Sequence, residues 1–225
     1  MMTTTTGYRL STKEQIVLAA ERLFAERGYE GVSLREIGVA AGSANNSAVQ
    51  YHFGTKEQLV AAIFERRLTY IDERRALLVA QLQPRDLRAW LECYVLPLLE
   101  QGEIEGSHYM SFIAAVEPQT RLFQNLPEHY WMRTEQFRSE VGALLPDIPE
   151  PLRSHRILQV VMLSVHAASF RERAKATGLE VVPFAIHVTD LLDAWAGFLA
   201  ASVSDAARAS ISGHGLTPAA WPFLL

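Results

Sequence analysis

The chain has 225 residues, 49% of them hydrophobic and 20% charged, with a formal net charge of −4, seven histidines and one cysteine. At roughly 150 residues per domain this length suits one large domain or two smaller ones sharing a core, and the composition excludes a disordered chain, a collagen and a disulfide scaffold. A lone Cys93 leaves no intramolecular disulfide and no cysteine cluster for structural zinc, so a reducing compartment, the cytoplasm, is expected.

The opening MMTTTTGYRL lacks the apolar run of a signal peptide. Beyond it, Ile16, Ala19, Ala20, Leu23 and Phe24 recur at i, i+3, i+4, i+7 and i+8, the spacing of one buried helical face. Ser11-Thr12-Lys13-Glu14, Ser33-Leu34-Arg35-Glu36 and Thr55-Lys56-Glu57-Gln58 each fit a capping box. In that motif a hydroxyl and an acidic or amide side chain satisfy, reciprocally, backbone N–H groups that a helix start leaves unpaired. Each cap contributes about 1 kcal/mol, enough to set a boundary without deciding a fold. The three boxes predict helices near 11–27, 33–41 and 55–82. Gly28, Gly31, Gly42 and Gly54 break the first 60 residues into short helices and tight turns, whereas Val60, Ile63, Phe64, Leu68 and Ile71 share one face of a long helix ending before Pro84.

Between the second and third boxes, a helix ending near Ala41, a glycine-containing turn and another short helix predict a helix-turn-helix, whose second helix fits the DNA major groove. The amides of Asn45, Asn46 and Gln50 match adenine's donor–acceptor edge, and Ser47, Tyr51 and His52 can donate to phosphate oxygens. Ala48, Val49 and Phe53 are left to face inward. Lys56 stands in the first turn of the next helix, where free N–H groups and the dipole favour an anion. Residues 1–80 hold ten Lys/Arg against nine Asp/Glu, a balance of +1, and residues 81–225 hold eleven against sixteen, a balance of −5. The acidic excess therefore belongs to the second part. Loop and rim packing use the same residue types, and that reading stands beside the DNA-binding one.

Glu14 through Leu59, with Ala20, Phe24, Gly28, Ser33, Arg35-Glu36-Ile37-Gly38, Ala41-Gly42, Tyr51-His52-Phe53 and Lys56-Glu57-Gln58-Leu59, resembles the N-terminal domain of the TetR family of bacterial transcriptional repressors. Between Gly42 and Phe53 the chain is one residue longer than the family pattern, and Gln50 stands where an aromatic is common. The resemblance implies DNA contacts at Ser33, Arg35, Gln50, Tyr51, His52 and Lys56, mostly to phosphates; Asn45, Asn46 and Ser47 are added from their chemistry.

Further on, Leu87, Trp90, Leu91, Tyr94 and Leu98 form a helical stripe, followed by apolar clusters at 109–113 and 123–137. Two long helices are predicted near 151–176 and 183–204. Ile157, Val160, Val161, Val165 and Ala168 line one of them; Val188, Leu191, Leu192, Trp195, Ala196 and Leu199 line the other. Interrupting polar residues keep either from reading as a membrane span. The resemblance implies an effector-binding body and a four-helix homodimer interface made by that last pair, matching a palindromic operator. Trp90, Tyr94, Met110, Trp131, His166 and Phe170 are the candidate lining of a mostly apolar pocket for a small-molecule effector; core packing is the other reading for each. The tail 210–225 combines glycines and prolines with an apolar end, and folding back over the body suits it better than a solvated coil.

The expected fold is therefore all-α with about nine helices: a helix-turn-helix domain at 1–54, a connecting helix at 55–83, an effector-binding and dimerisation domain at 84–204, and a tail at 205–225. The histidines show no HExxH or Cys–His metal spacing, and no G-x-S-x-G elbow or phosphate-cradling glycine loop occurs, so no metal, cofactor or enzymatic activity is expected. A dimeric DNA-binding protein without an effector is the first alternative, and an all-α enzyme the second.

Overall fold

The computed structural model describes residues 10–43, 47–126 and 128–214. Across these residues the protein is all-α, with ten α-helices and one 3₁₀ segment, Thr120–Asn125. The three capping boxes form as read. They start α1 (Thr12–Arg27), α2 (Leu34–Ala40) and α4 (Lys56–Leu82), each hydroxyl accepting from the backbone N–H three residues on while that residue's side chain accepts in return. The short α3 (Ala48–Phe53) lies between α2 and α4. There follow α5 (Leu87–Gln101), α6 (Tyr109–Val116), α7 (Glu128–Ala143), α8 (Glu150–Ala176), α9 (Phe184–Ala200) and α10 (Asp205–His214).

Helix α1 packs on α2 and α4 and most extensively on α6, so the N-terminal helices share the core of the body. Ile16, Ala20 and Phe24 are fully buried. Phe24 meets Phe112 of α6 at 6.2 Å between ring centroids, and Phe64 of α4 meets Phe112 at 5.2 Å and Phe123 at 5.5 Å. One aromatic cluster thus ties α1, α4, α6 and the 3₁₀ segment together. Such pairs add about 0.5–1.5 kcal/mol each beyond the area they bury.

The N-terminus of α6 is where polar groups join the same parts. Backbone N–H groups of Met110 and Ser111 donate to the Glu172 carboxylate of α8 at 3.2 and 3.0 Å, and that of His108 donates to Glu21 of α1 at 3.3 Å. Carboxylates suit this position because the first N–H groups of a helix have no partner within it. Burial pushes the Glu172 carboxyl above its ordinary value, and these hydrogen bonds oppose the shift. Glu21 also receives a two-pronged contact from Arg67 of α4, Nε to Oε2 at 3.1 Å and Nη2 to Oε1 at 2.7 Å.

The inner face read for α8 is buried at Ile157, Val160, Val161, Val165 and Ala168. On α9, Val188, Leu192 and Leu199 are buried, while Leu191, Trp195 and Ala196 remain half-buried against the core. Helix α9 ends at Ala200, and a tenth helix follows where only a tail was expected. Its start is a hydroxyl cap, the Ser204 Oγ accepting from the Ala207 N–H at 3.3 Å. Positions 215–225, including the apolar end of the tail, lie outside the described residues. Among the described residues no single helix is long and apolar enough to cross a membrane; α9 and part of α10 reach that length only as a pair bent by 66°.

The Glu21–Arg67 pair sets a stability expectation, because its side chains are only 2% and 11% exposed. Arg67→Ala strands a buried carboxylate and is expected to lower unfolding free energy by about 3 kcal/mol. Replacing both partners, Glu21→Leu with Arg67→Met, is expected to restore most of it. Guanidinium unfolding monitored by circular dichroism measures both; a single-variant loss within experimental error contradicts the assignment.

Candidate nucleic-acid interface

Helix α3 is oriented by what it buries. Ala48, Val49 and Phe53 face inward, as their spacing predicted. Gly38 of α2 permits the close approach, since a Cβ there would stand 3.4 Å from Val49 Cγ2. Gly54 turns α3 into α4 at φ +69°, and a Cβ there would come within 2.5 Å of the Gln58 side chain that completes the α4 cap. With the inner face settled, Ser47, Gln50, Tyr51 and His52 are all exposed, Tyr51 to 84%. Ser47, Gln50 and Tyr51 recur at i, i+3 and i+4 and so share one helical face. The Tyr51 and His52 rings meet edge to face at 5.2 Å. Asn45 and Asn46 lie outside the described residues.

Helix α2 adds Ser33 and Arg35, both exposed. The Ser33 hydroxyl is engaged in the cap, donating to the Glu36 carboxylate at 2.7 Å and accepting from the Glu36 N–H at 3.3 Å. Lys56, expected to meet a phosphate, is engaged within the protein here. Its ammonium donates to the Tyr29 carbonyl oxygen and lies 4.1 Å over the Tyr29 ring and 5.5 Å from the centre of the Phe24 ring. Burial there lowers its pKa. The loop after α1, rather than solvent, holds this cation. Sequence reasoning passed over Lys13, whose ammonium lies 5.8 Å from the Phe53 ring and supplies a cation beside the end of α3. Its position in the first turn of α1, inside the capping box, was the available signal.

A cavity of about 190 Å³ opens between α4, α5 and α7. It is lined by Arg75, Ala76, Val79 and Ala80 of α4, by Trp90, Cys93 and Tyr94 of α5, and by Arg133, Gln136 and Phe137 of α7. The volume lies below the 300–1,000 Å³ or so usual for ligand sites. Tyr94 stacks on Phe137 at 3.9 Å and 11°. Its hydroxyl hydrogen-bonds with that of Thr134 at 3.0 Å. Arg75 is buried, its guanidinium 3.7 Å over the Tyr94 ring and 3.5 Å from Asp72, its Nε donating to the Tyr94 carbonyl at 3.2 Å. Burial pushes the Cys93 thiol up to about 11, so it stays protonated at neutral pH.

Of the six residues expected to line a pocket, Trp90 and Tyr94 are at this one. Met110 is fully buried in the core. His166 and Phe170 face away: α8 turns Val161, Val165 and Ala168 inward, leaving Phe170 66% exposed and His166 paired with Glu117 at 2.9 Å. The side chain of Trp131 lies outside the described residues. Arg75, Cys93, Arg133 and Phe137 were not anticipated. Asp72 and Arg75 did leave a trace, because they continue the Leu68–Ile71 face of α4 into buried positions that ordinary surface charges avoid.

Residues 16–63, the α1 to α4 segment that carries this exposed α3 edge, match the family model "Bacterial regulatory proteins, tetR family". This segment is similar to the DNA-binding part of TetR-family regulators. The chain is 38% identical over 63 residues to the HTH-type transcriptional repressor AcnR of Corynebacterium efficiens, covering 28% of this chain and 33% of that protein. It is 34% identical over 77 residues to the HTH-type transcriptional regulator CymR of Pseudomonas putida, covering 34% and 37%. The matches thus span about a third of the length of these curated relatives. A solved structure described as a TetR-family transcriptional regulator from Mesorhizobium loti aligns over 84% of this chain and 95% of that one, with a TM-score of 0.47 and 16% identity. The family is described as bacterial regulatory proteins, and these relatives as transcriptional regulators.

The cap of α2 gives this segment an acid-sensitive element. The Ser33 hydroxyl and N–H both donate to Glu36, with Arg27 beside it, and its carboxyl is lowered from 4.5 to about 2. A folded-state value below the unfolded one means this contribution is complete above about pH 4.5 and fades as pH falls through 2. Carbon-detected NMR is expected to show Glu36 titrating near 2, with exchange protection of the first turn of α2 declining over the same window. Titration at an ordinary carboxylate value contradicts the cap geometry.

Proposed function

We propose that the protein is a transcriptional repressor that binds a palindromic DNA operator as a homodimer and leaves it when a small molecule fills the α4–α5–α7 cavity. The observation carrying this reading is the outer edge of α3, where Gln50, Tyr51 and His52 stand exposed while Ala48, Val49 and Phe53 anchor the helix from behind. Gln50, with Asn45 and Asn46, reads base edges; Ser33, Arg35, Ser47, Tyr51 and His52 serve phosphates. Lys56 takes a phosphate by exchanging its hold on Tyr29 for it.

In this reading residues 1–54 form the DNA-binding domain, 55–83 the connecting helix, 84–204 the effector-binding and dimerisation domain, and 205–225 the tail. The protein works in the cytoplasm on double-stranded DNA. Support for a dimer comes from the outer faces of α8 and α9, where Leu163, Phe170 and Ile186 are exposed apolar side chains beside the half-buried Leu191 and Trp195. Support for coupling comes from α4, whose first residue follows α3 closely and whose Arg75 to Ala80 stretch walls the cavity. At 1.5 Å per residue those points are about 30 Å apart along one helix. A coupling of about 1–3 kcal/mol between them is enough for useful release.

Selection from random duplex DNA tests the reading. An inverted repeat is expected, with half-sites about 34–36 Å or a multiple of that spacing apart. Arg35→Ala is expected to weaken binding to all duplexes and to reduce the salt slope by about one, whereas Gln50→Ala changes the preferred base. Failure to enrich any sequence, or a monomer in sedimentation at micromolar concentration, overturns the proposal.

A further inference from the structure

We infer that the α4–α5–α7 cavity takes a single-ring aromatic carboxylate, with the ring among the aromatic walls and the carboxylate at Arg133; this rests on reading the cavity as the effector site. Size sets the first limit. An apolar cavity of about 150 Å³ accepts benzene, so about 190 Å³ suits one ring with a small substituent. Shape sets the second. Phe137 and Arg75 already cover both faces of the Tyr94 ring, so the Trp90 indole and the edges of the Tyr94–Phe137 stack form the apolar walls, a slot that a planar ring fills better than a branched aliphatic group.

Charge decides the remaining choice. Among the described residues, two guanidinium groups line the cavity and no acidic side chain does. The inner one, Arg75, is balanced by the protein itself, with Asp72 at 3.5 Å and the Tyr94 ring and carbonyl against it. Arg133 on exposed α7 is the surplus positive charge at the mouth, and Gln136 one turn later adds an amide donor on the same face. A planar carboxylate matches a guanidinium fork in two parallel hydrogen bonds, whereas an ammonium ligand would meet two like charges. A neutral arene would fill the walls and leave Arg133 unused.

Calorimetric titration of the full chain with benzoate, benzamide and benzylamine tests this, alongside operator binding with each compound present. Benzoate is expected to bind about tenfold or more tighter than benzamide, and benzylammonium to bind undetectably. Arg133→Gln, at an exposed position whose folding is checked by thermal melting, is expected to bring benzoate down to the level of benzamide and leave benzamide unchanged. Equal affinity for benzoate and benzamide, an Arg133→Gln variant without effect, or no binding by any of the three overturns the inference. If benzamide binds as well as benzoate and releases operator, the carboxylate assignment fails while the effector reading stands. If benzoate binds in an Arg133-dependent way and operator affinity is unchanged, the carboxylate assignment holds and release by this cavity fails.

Discussion

Glu21 is a charged residue with 2% of its surface exposed, placed on the apolar face of α1 between the Arg67 guanidinium and the backbone N–H of His108. Those three groups belong to α1, α4 and the start of α6. A carboxylate in that position tolerates no loose geometry, because losing any partner leaves desolvated charge behind. Glu172 does the same from the side of α8, through the N–H groups of Met110 and Ser111. Helix α6 is therefore held at one end by carboxylates from two helices far apart in sequence. The helix-turn-helix consequently docks onto the body through an oriented polar junction, and the aromatic cluster of Phe24, Phe64 and Phe112 fills the space beside it.

This junction constrains how the two halves of the molecule move. Helix α4 caps the turn out of α3 at one end, pairs with Glu21 in its middle and walls the cavity near its C-terminus. A displacement at the cavity cannot be absorbed in a flexible linker, since the helix continues from Lys56 to Leu82 without interruption. In the proposed regulator, a ligand that prefers one position of α4 therefore biases the position of α3, and the shift is limited by its differential affinity for the two states.

Helix boundaries were legible because they are local. The capping boxes at Ser11, Ser33 and Thr55 each involve residues three apart and need no tertiary partner. Periodicity marked the buried faces of α1, α4 and α8 for the same reason. The site was legible only in part. Trp90 and Tyr94 reach the cavity from a helix whose face was read correctly, whereas His166 and Phe170 share a spacing equally consistent with the outer face of α8. Only tertiary packing, of α8 on α6, α9, α5 and α7, chooses between those faces. Lys56 shows the same limit from the other direction: its place at a helix start suggested an anion, but the Tyr29 ring and carbonyl brought alongside by the loop after α1 compete for it.

The Arg75–Asp72 pair illustrates what a buried polar group does in such a wall. A buried ion pair contributes little net stability against apolar residues of similar volume, because desolvation offsets most of the attraction. Its effect here is directional. Arg75 grips both the carbonyl and the ring of Tyr94, and Tyr94 in turn stacks on Phe137 and hydrogen-bonds with Thr134, so α4, α5 and α7 are linked through one tyrosine. In the proposed regulator, a ligand beside Trp90 meets that stack first. Any change in the Tyr94 ring is felt at once by the guanidinium above it, and hence by the backbone of α4. In the proposed regulator, a ligand larger than the roughly 190 Å³ of free space displaces one of these three helices, whereas a smaller one acts only through the contacts it makes.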